Sequence, residues 1–160
     1  MYILGDIGNS ESKVFLVNSK NKVIKNMIFP SKEINNNLLK SKFRYLVKDF
    51  NKIEKILFCS VVPKSFRLIK NFLLKNTKIR CYEVKDLKLK SLISVKVNFN
   101  QVGSDRLTNA ISLANNLKNY IILDFGTATT FDVLMKNSYS GGIIAPGVRL
   151  SLNTLADKAT

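Results

Sequence analysis

Three short phrases on this chain combine glycine, hydroxyls and carboxylates: Asp6-Ile7-Gly8-Asn9-Ser10, Gly103-Ser104-Asp105-Arg106 and Asp124-Phe125-Gly126-Thr127-Ala128-Thr129-Thr130. Glycine in a turn lets backbone N–H groups come close to a phosphate, because no Cβ stands in the way. A carboxylate beside that turn can order a cation or its water shell. In the first and third phrases an apolar segment runs into the aspartate and a second one leaves the turn. Tyr2-Ile3-Leu4 and Val14-Phe15-Leu16-Val17 flank the first; residues 120–123 and 131–134 flank the third. Asp, Asn and Gly are also ordinary hairpin-turn residues for conformational reasons alone. Two such turns with a Gly-x-Asp-Arg between them favour phosphate chemistry, in a nucleotide cleft between two related halves.

The chain has no histidine, which excludes a histidine triad, a histidine metal site and imidazole acid–base catalysis. It has 11 carboxylates, so a general base is expected among Asp6, Asp105, Asp124 and Asp132, which lie in or beside the three phrases. Asp132 itself reads as a structural residue paired within its strand, and Lys13 as either a phosphate ligand or one more surface lysine. Cys59 and Cys81 show no pairing or metal spacing and read as reduced thiols. No apolar run is long enough to span a bilayer and the N-terminus lacks signal-peptide character, so a cytoplasmic protein without membrane contact is expected. The net charge of +15 comes from 26 basic residues, of which 21 are lysine, scattered among 18 asparagines. Without an arginine-rich stripe or interleaved aromatics, no specific nucleic-acid partner is expected, only weak polyanion binding at low salt.

At 160 residues and 46% hydrophobic content, one domain or two small ones can form. Alternation and turn residues predict strands over 2–7, 12–18 and 22–29. Helical spacing of Leu38, Leu39, Phe43, Leu46, Val47 and Phe50 predicts a helix over 36–50. A strand over 53–62, a helix over 64–75 and a strand over 79–84 follow. This βββαβαβ order is that of a ribonuclease-H-like half. After a linker over 85–100 come a helix over 102–117, strands over 120–125 and 129–135, the pair Gly141-Gly142, a strand over 143–145 and a helix from 148. The expected fold is α/β: residues 1–100 as one ribonuclease-H-like half and 101–160 as the start of a second, incomplete one.

Taken together, the phrases resemble type III pantothenate kinase, in the superfamily of acetate and sugar kinases, heat-shock chaperones and actin. The match rests on residues 6–10, Ser60-Val61-Val62-Pro63, residues 103–106 with Leu107-x-Asn109-Ala110, residues 124–130 continued by Phe131-Asp132, and Gly141-Gly142-x-Ile144-Ala145-Pro146-Gly147. These motifs span the chain in the family's order. The resemblance implies ATP-dependent phosphorylation of pantothenate on the way to coenzyme A, in a homodimer. It implies an ATP site of Asp6, Ile7, Gly8, Asn9, Ser10, Glu11, Ser12, Lys13 and Thr127. Gly103, Ser104, Asp105 and Arg106 would bind substrate, with Asp105 as the base. Asp6 would hold Mg2+ through water, and Asp124 a monovalent cation, K+ or NH4+.

Ser10 stands where the family has Thr, and Ser104 where it has Ala; both keep a small side chain. Lys96 and Phe99 stand where the family commonly has an aromatic substrate contact and a proline. Family chains continue beyond position 160, so this chain is expected to be weak or inactive as a kinase by itself. Two other functions fit parts of the pattern: a transcriptional accessory protein of the same family, and a sugar or acyl kinase of the same superfamily.

Overall fold

The computed structural model describes residues 1–158 and falls into two compact units, Met1–Leu87 and a second from Lys88 onward. In the first unit the order is β1 (Tyr2–Ile7), β2 (Glu11–Val17), β3 (Val23–Pro30), α1 (Asn36–Leu46), β4 (Lys55–Ser60), α2 (Pro63–Thr77) and β5 (Cys81–Glu83). The strands form one sheet in the order β3-β2-β1-β4-β5. The first three are antiparallel neighbours, while β4 and β5 run parallel to β1. This is the expected βββαβαβ arrangement.

Strand alternation sends Ile3 and Ile7 into the core and leaves Leu4 and Asp6 on the opposite face. Helical spacing does the same for α1 and α2: Leu39, Phe43 and Leu46 on one, Ile69 and Leu73 on the other, are fully buried. The helices meet where the Phe43 and Phe72 ring centroids lie 5.4 Å apart. Asn35 caps α1, its Oδ1 accepting the N–H groups of Asn37 and Leu38 at 3.0 Å each. The helix expected over 36–50 stops at Leu46. Val47 is extended, and Asp49 starts a separate 3-10 turn by accepting the Asn51 N–H at 3.0 Å. The strand expected over 53–62 is confined to 55–60, since Pro63 opens α2 and keeps Val62 out of helical geometry.

The second unit contains β6 (Ser94–Val95), α3 (Ser104–Leu113), β7 (Asn119–Phe125), β8 (Ala128–Met135), β9 (Ser138–Pro146) and α4 (Val148–Lys158). Its sheet has the order β6-β9-β8-β7. The expected linker over 85–100 is not plain coil: β6 pairs parallel to β9, and 3-10 turns cover Leu89–Ser91 and Phe99–Gln101. The helix expected over 102–117 ends at Leu113, because Asn115 Oδ1 takes the N–H groups of Leu117 and Lys118 at 2.9 Å each. The strand expected over 143–145 runs from Ser138 to Pro146. Gly141 and Gly142 therefore lie inside it, at a register shift opposite Val133 and Leu134.

Helix α3 covers the face of this sheet that bears Asp124 and Asp132. The other face, with Leu123, Phe131 and Ile143 aligned across three strands, is largely open; Ile121 is 71% exposed and Ile143 67%. Leu150, Leu152 and Leu155 on α4 are exposed as well. Among the described residues, no helix is long and apolar enough to cross a membrane.

Candidate functional site

In the first unit, Asp6 sits one residue before the end of β1, directly opposite Lys13 on β2 and beside Cys59 on β4. The Cys59 thiol donates to Asp6 Oδ1 at 3.4 Å. The turn is closed by the Gly8 N–H, which donates to the Glu11 carbonyl at 3.0 Å. Asn9, Ser10, Glu11 and Lys13 are exposed, whereas the Ile7 and Ser12 side chains point into the core. The sequence-derived ATP loop thus divides into an outward set around Asp6 and an inward pair that anchors it.

Two serines outside that loop hold it in place, and the sequence analysis did not single them out. Ser31 donates its hydroxyl to the Gly8 carbonyl at 2.6 Å and its N–H to the Ser10 carbonyl at 2.9 Å. Its only hydroxyl proton being used there, Ser31 Oγ accepts from Ser12 Oγ at 2.9 Å. Ser65, in the first turn of α2, donates to the Ser31 carbonyl at 3.2 Å. The one sequence signal for this brace is Pro30, which ends β3 and sets up the 3-10 turn Ser31–Glu33.

In the second unit, Gly103 is the N-cap of α3 and Ser104 is buried behind it. Asp105 stands in the first turn, where a carboxylate suits the helix dipole. Its Oδ1 accepts the Arg106 N–H at 2.8 Å. Arg106 reaches across to β8: Nε donates to Asp132 Oδ1 at 2.9 Å and Oδ2 at 3.1 Å, and Nη2 donates to Oδ1 at 2.6 Å. The Tyr139 hydroxyl on β9 donates to the same Oδ1 at 2.5 Å. Asp132 is fully buried and Arg106 nearly so. The hydrogen bonds that Arg106 donates to Asp132 raise the arginine pKa, against the opposing effect of burial. Burial first, then the bond to Asp132, pushes the Tyr139 phenol above its ordinary value, so it remains a neutral donor. Asp132, expected to pair within its strand, instead joins the strand to the helix.

Gly142 makes room for this cluster. It is the cross-strand partner of Asp132, and a Cβ there would lie 2.7 Å from Asp132 Oδ1 and 1.9 Å from the Phe131 carbonyl oxygen.

Asp124 is exposed near the end of β7, and its Oδ2 accepts a hydrogen bond from Asn109 Nδ2 on α3 at 2.9 Å. Asn109 matched the family phrase but was not read as a site residue. Opposite Asp124 on β8 stands Thr130, whose buried Oγ1 has no hydrogen-bond partner among the described residues. Thr127 lies exposed at the turn between β7 and β8. Gly147 presses on that turn, its N–H donating to the Thr127 carbonyl at 3.1 Å. A Cβ on Gly147 would come within 2.5 Å of the carbonyl oxygens of Gly126 and Thr127. Lys96 is exposed, and its backbone N–H donates to the Tyr139 carbonyl at 2.9 Å; Phe99 is half-buried in its 3-10 turn.

Residues 2–160 match the family model described as type III pantothenate kinase. The chain is 59% identical over 160 residues to a protein of that name from Pelagibacter ubique, covering 100% of this chain and 64% of the relative. It is 34% identical over 168 residues to the type III pantothenate kinase of a Sulfurihydrogenibium species, covering 99% of this chain and 65% of the relative. The chain thus spans just under two thirds of the length of these curated relatives. Among solved structures, a Baf-family protein from Campylobacter jejuni superposes with a TM-score of 0.57 at 19% identity, over 97% of this chain and 59% of that one. The ethanolamine utilization protein EutJ from Carboxydothermus hydrogenoformans gives 0.53 at 12% identity, over 98% of this chain and 56% of that one. These two likenesses bear on the fold alone.

Proposed function

The chain belongs to the type III pantothenate kinase family, and on that premise we propose that the protein transfers the γ-phosphoryl group of ATP to the primary hydroxyl of pantothenate. Asp105 takes the hydroxyl proton as the oxygen attacks phosphorus and ADP leaves. Phosphoryl transfer asks the protein mainly for positioning and charge stabilisation, so a single carboxylate base in a chain without histidine suffices. One observation carries the reading: in the first turn of α3, Asp105 commits only Oδ1, to the Arg106 N–H, while its neighbour Arg106 is held rigidly by Asp132. The second carboxylate oxygen has no partner among the described residues.

The nucleotide side of the reading rests on the first hairpin. The exposed residues Asn9, Ser10 and Lys13 supply amide, hydroxyl and ammonium donors for ATP phosphates, and Gly8, whose N–H donates to the Glu11 carbonyl, shapes the loop that presents them. Thr127 is, by the family resemblance, a further ATP ligand. Glu11 belongs to this loop through its backbone, and Ile7 and Ser12 by anchoring it.

Among the described residues no cluster of three or more histidine, cysteine or acidic side chains is present. Mg2+ keeps several waters and binds through one or two carboxylates plus substrate phosphates. Asp6 is the residue that would hold it, through water. The bound ion would supply charge neutralisation across the β- and γ-phosphates. A monovalent cation, K+ or NH4+, would take oxygen ligands at Asp124, and the orphaned Thr130 hydroxyl across the strand pair fits that demand. The cytoplasmic homodimer implied by the resemblance is part of the same reading.

The test is phosphate transfer from ATP to pantothenate in magnesium buffer, with potassium against sodium, for the wild type and Asp105→Asn. Slow potassium-dependent product is expected of this chain by itself, with turnover falling by a further factor of roughly 10²–10⁴ in the variant, the usual worth of a general base. Undiminished turnover by Asp105→Asn would remove the assigned base.

A further inference from the structure

We infer that Asp132 and Tyr139 are positioning residues for the acceptor substrate, acting through Arg106; the inference rests on the kinase reading above. Three hydrogen bonds from the guanidinium converge on one fully buried carboxylate, all of them from Nε and Nη2. This edge-on grip uses one side of a planar, rigid donor fork. The other terminal nitrogen, Nη1, makes no hydrogen bond among the described residues, and it keeps two N–H donors with a fixed direction. Arg106 follows Asp105 in the first turn of α3, and after Asp132 the Asp105 charge contributes to the rise in the Arg106 pKa, so the guanidinium lies within electrostatic range of the proposed base.

Asp132 in turn cannot swing. Its Oδ1 also accepts from Tyr139, whose side chain is fully buried. Gly142 lies against the same oxygen, where a Cβ would stand 2.7 Å away. The carboxylate largely offsets the arginine charge. Arg106 therefore presents oriented N–H donors, suited to an acceptor oxygen of pantothenate, in place of a free cation that any phosphate would attract. On this account the cluster governs the acceptor and leaves the nucleotide alone.

The test measures KM for pantothenate and KM for ATP in the wild type, Asp132→Asn, Tyr139→Phe and Arg106→Lys, with thermal unfolding alongside. Loss of a hydrogen bond to a charged group predicts a rise in the pantothenate KM of roughly 10–100-fold for Asp132→Asn. Arg106→Lys, which cannot make the edge-on grip, is expected to match it. Tyr139→Phe keeps the buried ring and loses one bond, so a rise of roughly 3–10-fold is expected. The ATP KM is expected to stay within about twofold in all three, since the cluster touches no proposed nucleotide ligand. Should Asp132→Asn fail to fold, Tyr139→Phe decides. Pantothenate and ATP KM values that move together, or a Tyr139→Phe enzyme with lowered thermal stability and unchanged pantothenate KM, would make the cluster merely structural and overturn the inference. A wild type that uses ATP but does not phosphorylate pantothenate overturns the functional reading itself, and this one with it.

Discussion

Ser31 shows how much one small side chain outside the recognised motifs can control. Its hydroxyl and amide hold two points of one turn, the Gly8 and Ser10 carbonyls, while its carbonyl takes the Ser65 hydroxyl on α2. Ser31→Ala leaves the half-buried Gly8 carbonyl and the buried Ser12 hydroxyl short of a partner, which costs about 1–3 kcal/mol. Urea unfolding is expected to show that loss, and kinetics a raised KM for ATP with the pantothenate KM unchanged. An unaltered ATP KM would mean that the loop holds its shape without the brace. The motif residues stood out in the sequence because Asp6 and Asp124 each stand between an apolar run and a glycine turn, a local pattern. Asn109 and Tyr139 were not read as site residues and Ser31 was marked only by the preceding Pro30, since each acts through a partner on another element.

At the level of elements, the strands were the readable part and the ends of helices were not. The apolar periodicity that predicts α1 continues to Phe50, but Asp49 offers its carboxylate to a backbone N–H and ends the run locally. Asn115 does the same after α3. The Gly141-Gly142 pair suggested a break before a short strand, because paired glycines usually mark turns. In the structure it lies within β9, and its second glycine leaves room for a buried carboxylate across the ladder. Gly142→Ala therefore forces a methyl group against the Phe131 carbonyl and Asp132, an overpacking expected to cost about 1–3 kcal/mol. It should also reproduce the selective rise in pantothenate KM expected of Asp132→Asn. A Gly142→Ala protein with wild-type stability would show that β8 and β9 can separate to admit the methyl group.

For the whole molecule, charge and exposed surface pull in opposite directions. The chain carries +15, while the second unit leaves Ile121, Leu123, Phe125 and Ile143 open on one sheet face and Leu150, Leu152 and Leu155 open on α4. Contiguous apolar surface of this kind drives association. Like charge opposes it over about one Debye length, roughly 10 Å at 0.1 M salt. The 160-residue chain is expected to stay dispersed at low ionic strength and to self-associate as salt rises, which light scattering across a salt series will show. Replacing Ile121 and Ile143 with threonine should move the onset to higher salt; an unshifted onset would place the sticky surface elsewhere. The open face of β7, β8 and β9 thus sets a practical condition: the buffer that keeps this chain monodisperse is the dilute one, in which weak polyanion binding is also strongest.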